Sequence, residues 1–236
     1  MGSGGRKTVG ILGGMGPEAT IDLFAKIVRS TKVSRDQDHL HIIVDNNPQV
    51  PDRQSALLED GPSPVPLLVE TAKRLEAAGV HFIVMPCNTA HCWINEIRKA
   101  VRIPVIDMIK ETAQEVARSY PSLRTVGLLA ATGTVRSGLY QRHMLELEIK
   151  VVSPSDDDQA ALMRTIYAVK AGLFDSRDKA AEIGRRLVEA GAEAVIAGCT
   201  EIPLVLSSGD LSVPIIDATQ VLARRTVEIA QRSSLP

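Results

Sequence analysis

The sequence predicts an α/β protein built from two pseudo-symmetric parallel-sheet domains, each made of βα repeats, facing one another across a cleft. Three observations carry that prediction. Apolar, β-branched runs alternate with segments of helical periodicity, the pattern of parallel strands joined by crossover helices. Arg74-Leu75, Ala78, Gly79 and an apolar run ending at Cys87 recur, at one constant separation, as Arg186-Leu187, Ala190, Gly191 and a run ending at Cys199. The flanks repeat too: IPVID (103–107) is echoed by VPIID (213–217), and VGILGG (9–14) by VGLLAA (126–131) at a slightly longer separation, so the loops between differ by a few residues. The chain therefore divides into a first α/β half at 6–105, a second at 106–217, and a terminal helical segment at 218–236 that completes the first half. Residues 1–5 read as a flexible tail or cloning remnant outside the fold.

The elements follow in order. TVGIL (8–12) is a strand closed by Gly13-Gly14-Met15-Gly16, and Pro17 suits the first turn of a helix, where its missing N–H costs nothing. Ile21, Phe24, Ala25 and Val28 fall at i, i+3, i+4 and i+7, which predicts a helix laying that stripe on the sheet. HIIVD (41–45) is the next strand. Asn46 to Pro66, rich in Pro, Asp, Asn and Ser, is a long loop of the kind that forms lids or binding loops. A helix from Leu67 to Ala78 stops at Gly79, and the buried strand HFIVM (81–85) leaves Cys87 where strand gives way to helix. A helix over 89–101, the strand IPVID and a helix over 108–118 end this stretch. The second half reads as strand 125–129, a Thr/Gly turn at 132–134, a helix near 136–146, strand 149–152, helices 158–171 and 176–190, strand 194–198 and the strand VPIID. A helix over 218–232 crosses back onto the first half, and Asp107 and Asp217 cap the helices that follow them.

Composition narrows the function. At 236 residues each half is long enough to bury a core, and no apolar run reaches the roughly 20 residues of a membrane span. The 27 basic residues are balanced by 28 acidic ones, with no Lys/Arg stripe interleaved with aromatics, so small molecules rather than nucleic acid are the expected partners. Three cysteines, an odd number without a secretory apolar segment, point to a reducing, cytoplasmic setting.

Ligands of open parallel sheets gather at the carboxyl ends of the strands, which places Gly13–Gly16, Cys87–Thr89, Thr132–Thr134 and Cys199–Glu201 on the rims. If the halves face each other, both thiols enter one cleft. A cysteine heading a helix meets unpaired N–H groups and the positive end of the dipole, which favour thiolate; the same groups suit a substrate carboxylate. Taking a proton from an α-carbon and returning it on the opposite face needs one acid/base group on each side, and a thiolate–thiol pair meets that need. Cys92, inside its helix, reads as a small buried hydrophobe. Cys87 and Cys199 do not, because their frames repeat and place hydroxyls at Thr89 and Thr200. The glycine turn lacks the dinucleotide fingerprint, and His91 with Cys92 has no second cluster at ligand spacing, so neither a cofactor nor a metal is expected.

On GGMGP (13–17), PCNTAH (86–91) and GCTEI (198–202) the chain resembles the aspartate/glutamate racemase superfamily of cofactor-independent two-cysteine racemases, most closely its aspartate racemase branch, over nearly all of 8–230. The glutamate racemase branch differs in having an Asp-Ser-Gly type turn in place of Gly13-Gly14-Met15 and a His in place of Glu201. The resemblance implies PLP-independent interconversion of L- and D-aspartate, or glutamate, with Cys87 and Cys199 as the two bases. It further implies a carboxylate grip from Arg53, beside Asp52, and from Lys170; position alone would make Arg53 a solvated loop residue and Lys170 a helix-end lysine. Asn88, Thr89, Thr132 and Thr200 are then donors to the α-carboxylate, Met15 a wall, and Glu201 either an acceptor for the substrate ammonium or an orienter of Cys199. A homodimer is expected by analogy. The alternatives are a broader-specificity racemase, or a non-catalytic redox or binding protein with a reversible Cys87–Cys199 pair.

Overall fold

The computed structural model describes residues 7–175, 177–232 and 235; the tail at 1–5 lies outside the described residues. The first half runs β1 (Val9–Gly13), α1 (Pro17–Ser30), β2 (Ile42–Asn46), α2 (Arg53–Leu58), α3 (Val65–Ala77), β3 (Phe82–Val84) and α4 (Ile94–Ala100), and α5 (Met108–Ser119) leads into the second. Its strands pair in parallel in the order β2-β1-β3. The second half runs β4 (Thr125–Leu129), α6 (Thr132–Arg136), α7 (Leu139–Leu145), β5 (Lys150–Val152), α8 (Asp156–Lys170), α9 (Arg177–Glu189), β6 (Ala194–Ala197) and β7 (Ile215–Asp217), and α10 (Ala218–Gln231) follows. This sheet is also parallel, in the order β5-β4-β6-β7. The α/β class and the two parallel sheets are those the repeats predict. Among the described residues no helix is long and apolar enough to cross a membrane.

Several elements differ from the sequence reading. IPVID forms no strand: Val105 makes a single bridge to Ile83, so the first sheet has three strands where the second has four. Pro86 stands where the second half has Gly198, whose N–H donates to Leu129 O of β4, so the proline ring shortens the ladder between β3 and β1. The helix near 136–146 breaks into α6 and α7 at Gly138, whose φ of 67° is left-handed. The helix over 89–101 begins as a 3-10 turn (Thr89–Trp93) before α4. The long loop contains α2, capped by the Asp52 carboxylate, which accepts from the Gln54 and Ser55 amides. Asp107 and Asp217 cap α5 and α10 in the same way.

The face of α1 is also different. Ile21, Phe24 and Val28 point outward, at 61%, 42% and 37% exposure, and the helix buries Ala19, Thr20, Leu23 and Ile27 instead. Leu23 and Ile27 join a core with Val9 and Ile11 of β1 and with Leu222 and Val227 of α10. Thr20 is hidden because it has a polar task, its Oγ1 accepting the Gly14 amide at 2.9 Å. That bond shapes the turn after β1, where Gly14 adopts φ 98° and a Cβ would lie 2.3 Å from the Asn47 carbonyl. The turn delivers Met15, 2% exposed, to the cleft between the sheets.

Candidate active site

Both cysteines end their strands at the cleft. Cys87 is held from its backbone: its N–H donates to Met85 O at 2.9 Å, and its carbonyl accepts from His91 Nδ1 at 2.8 Å. The other ring nitrogen, Nε2, accepts the Met108 amide at 3.1 Å, so the ring proton sits on Nδ1. Burial pulls the His91 pKa down against the opposing pull of Asp107, and the ring stays neutral. His91 is thus a bracket between the Cys87 turn and the start of α5.

Cys199 is held by its side chain. Its thiol donates to Glu201 Oε2 at 3.0 Å, Thr200 Oγ1 donates to the same oxygen at 3.2 Å, and Lys170 Nζ lies 3.9 Å from Oε1. Burial first, and then the Glu201 charge, push the Cys199 thiol well above the ordinary thiol range; Lys170 and the Glu201 amide pull the other way without outweighing them. Desolvation pulls Lys170 down, but Glu201 and the two cysteines outweigh it and its pKa is raised. The helix-dipole effect expected to favour thiolate does not prevail at Cys199. No α-helix starts at either cysteine; short 3-10 turns follow, Thr89–Trp93 and Ile202–Leu204, and so short a turn sums few peptide dipoles.

A narrow cleft lies between the halves. The two sulfurs line it together with Met15, Asn88, Thr89 and Thr200, and with Asp52, Arg53, Lys170 and Glu201 toward a wider mouth. Arg53 is 8% exposed rather than solvated, its Nη1 donating to Val50 O and Pro51 O at 3.1 and 2.9 Å. Thr132 is not among these residues. It opens onto a separate pocket beside Arg136 and Pro154, and its hydroxyl accepts from Gln159 Nε2 at 3.2 Å.

Residues after Cys87 stitch the halves together. Asn88 Oδ1 accepts from the Tyr140 hydroxyl at 2.6 Å, and the Thr89 and Thr134 hydroxyls meet at 2.8 Å. Gln54 spans the same seam: Oε1 accepts the Gly133 amide at 2.6 Å while Nε2 donates to Thr89 Oγ1 at 3.3 Å. The sequence reading missed Gln54, which no periodicity marks. It also missed Met163, Ile166 and Tyr167 on the cleft wall, although with Lys170 they fall at i, i+3, i+4 and i+7 along α8.

Known proteins share this fold. The Asp/Glu/Hydantoin racemase family matches over residues 12–226. The chain is 30% identical over 228 residues to the broad specificity amino-acid racemase RacX of Bacillus subtilis, covering 93% of this chain and 96% of that one. The structure superposes on Picrophilus torridus aspartate racemase with a TM-score of 0.86 at 33% identity, covering 95% of this chain and 94% of that one. An aspartate racemase homologue from Pyrococcus horikoshii superposes with a TM-score of 0.78 at 27% identity, over 96% of this chain and all 100% of that one. Fold, cleft and relatives define the class: the chain is a racemase, and hence an isomerase. It belongs to the Asp/Glu/Hydantoin racemase family.

Proposed function

We propose that the protein interconverts the L- and D-forms of an acidic amino acid, aspartate or glutamate, by two-base proton transfer between Cys87 and Cys199 without PLP or another cofactor. The observation that carries this reading is the thiol of Cys199, kept protonated by burial and by Glu201 in a cleft it shares with Cys87. In one direction the Cys87 thiolate takes the α-proton and becomes a thiol, while Cys199 delivers its proton to the opposite face and becomes the thiolate. The other enantiomer starts from that second state. In this reading Asn88 and Thr89 donate to the α-carboxylate, Thr200 lines the cleft while its hydroxyl donates to Glu201, and Arg53 with Lys170 offers positive charge to a side-chain carboxylate at the mouth. Thr132, which lines a separate pocket and accepts from Gln159, is given no role in this scheme.

A broader substrate range is the second reading. Met163, Ile166 and Tyr167 give the cleft an apolar wall that a longer uncharged side chain can use, and the Bacillus subtilis relative carries a broad-specificity name. We further propose that the enzyme works in the reducing cytoplasm, where both thiols stay free, and as a homodimer.

The decisive experiment is proton NMR of each L-amino acid with reduced enzyme in D₂O, with optical rotation followed in parallel. Loss of the α-proton signal together with racemisation of aspartate or glutamate is the expected result. Exchange across uncharged amino acids as well would favour the broad reading, and no exchange with any amino acid would leave the redox or binding reading. Cys87→Ala and Cys199→Ala are each expected to abolish racemisation, and full turnover by either variant would sink the two-base scheme.

A further inference from the structure

We propose that Tyr140 is a positioning residue for substrate binding: its hydroxyl holds the Asn88 amide in the single orientation that presents Nδ2 to the substrate carboxylate. The inference rests on the reading of Asn88 as a carboxylate donor and adds what aims it.

A primary amide has one acceptor end and one donor end, and rotation by half a turn exchanges them. Which end faces the cleft is decided by what binds the other. Tyr140 lies on α7, is fully buried, and is packed among Leu128, Leu139, Met144 and Ile196. Burial pushes its phenol far up, so the hydroxyl keeps its proton at every working pH and has one to donate. Asn88 Oδ1 takes that proton's hydrogen bond at 2.6 Å. Nδ2 is thereby turned away from Tyr140, and among the described residues it is a buried donor without a partner. Buried amide donors are nearly always paired, so an unpaired one on the wall of a cleft marks the position of a ligand acceptor. Asn88 is 3% exposed and lines the cleft beside Cys87, which places that acceptor next to the reacting carbon.

The two residues also come from different halves. Asn88 follows the thiol of the first half, while Tyr140 belongs to the second, as do the Thr134 and Gly133 groups bound to Thr89 and Gln54. The aim of the donor therefore depends on a contact made across the seam between the halves.

The test is a double-mutant cycle on the full chain, with the amino acid that turns over best in the deuterium experiment. Tyr140→Phe keeps the ring and its packing and removes only the donated bond. Its KM is expected to rise about tenfold, near the worth of one hydrogen bond, with kcat changed far less. Asn88→Ala is expected to raise KM at least as much, and adding Tyr140→Phe to it should cost nothing further. Asn88→Asp, which can still accept from Tyr140 and offers no amide donor, should also lose binding. If Asn88→Ala binds normally, the carboxylate reading of Asn88 fails and the proposal falls with it. If Asn88→Ala loses binding but Tyr140→Phe does not, or if the two losses add, only the role of Tyr140 is overturned.

Discussion

At Cys199 one carboxylate decides the protonation state. Glu201 accepts a hydrogen bond from the thiol and sets a negative charge beside the sulfur, and both effects resist ionisation. Glu201→Gln removes the charge, so the thiol pKa should fall toward the ordinary range. The ultraviolet thiolate absorbance of Cys199, followed in a Cys87→Ala/Cys92→Ala background, should titrate at lower pH in this variant. An unmoved titration would show that burial alone holds the proton. His91 gives a second pH-dependent outcome. Its folded pKa is lowered by burial, so as pH falls below about 6.5 the unfolded chain binds a proton that the folded chain refuses. Stability should therefore be fully present above that pH and decline below it. His91→Gln can still donate to Cys87 O and accept from Met108 N without titrating, so urea denaturation at pH 5 and pH 7.5 should differ less for the variant than for the parent. Equal differences would mean that other groups carry the acid sensitivity.

The elements show where sequence reasoning succeeds and where it stops. Cys87 and Cys199 were legible because strand, glycine and thiol repeat together, and a repeated frame restricts the fold more than either motif alone. The inner face of α1 was not, since Ile21-Phe24-Val28 and Leu23-Ile27 both satisfy helical spacing, and the choice between them is made by α10, which is distant in sequence. Thr20, a polar residue on the buried face, carried no sequence signal of its bond to Gly14. The helix α2 was hidden in a polar loop whose one clear signal was Asp52 before Arg53, an N-cap without an apolar stripe behind it. Gln54 depended on that missed helix, because its reach to Gly133 exists only once α2 is placed across the seam. Local geometry at the β1–α1 turn yields a further outcome. Gly14→Ala forces a side chain onto a left-handed backbone and into Asn47, so it should destabilise the fold by more than about 1 kcal/mol and displace Met15 from the cleft. Unchanged thermal unfolding and unchanged KM would contradict that account of the turn.

For the whole molecule, the outward stripe of α1 bears on assembly. Ile21, Phe24 and Val28 are flanked by exposed Glu18 at the amino end and exposed Arg29 and Lys32 at the carboxyl end. Two copies crossing antiparallel on this face would cover the apolar stripe and set each acidic end against a basic one, a self-complementary pattern suited to a twofold dimer. Phe24→Glu should shift sedimentation from dimer to monomer, and a parent that sediments as a monomer would remove the proposal. α10 returns along the chain to pack on α1 and α5. That return has a consequence for biosynthesis. On the ribosome the first sheet is complete long before Ala218–Gln231 is translated, and until then Leu23 and Ile27 lack the Leu222 and Val227 that cover them. A nascent chain stalled before α10 should therefore be protease-sensitive in its first half, and the cleft that both halves share should acquire its final shape only after the last helix has left the exit tunnel.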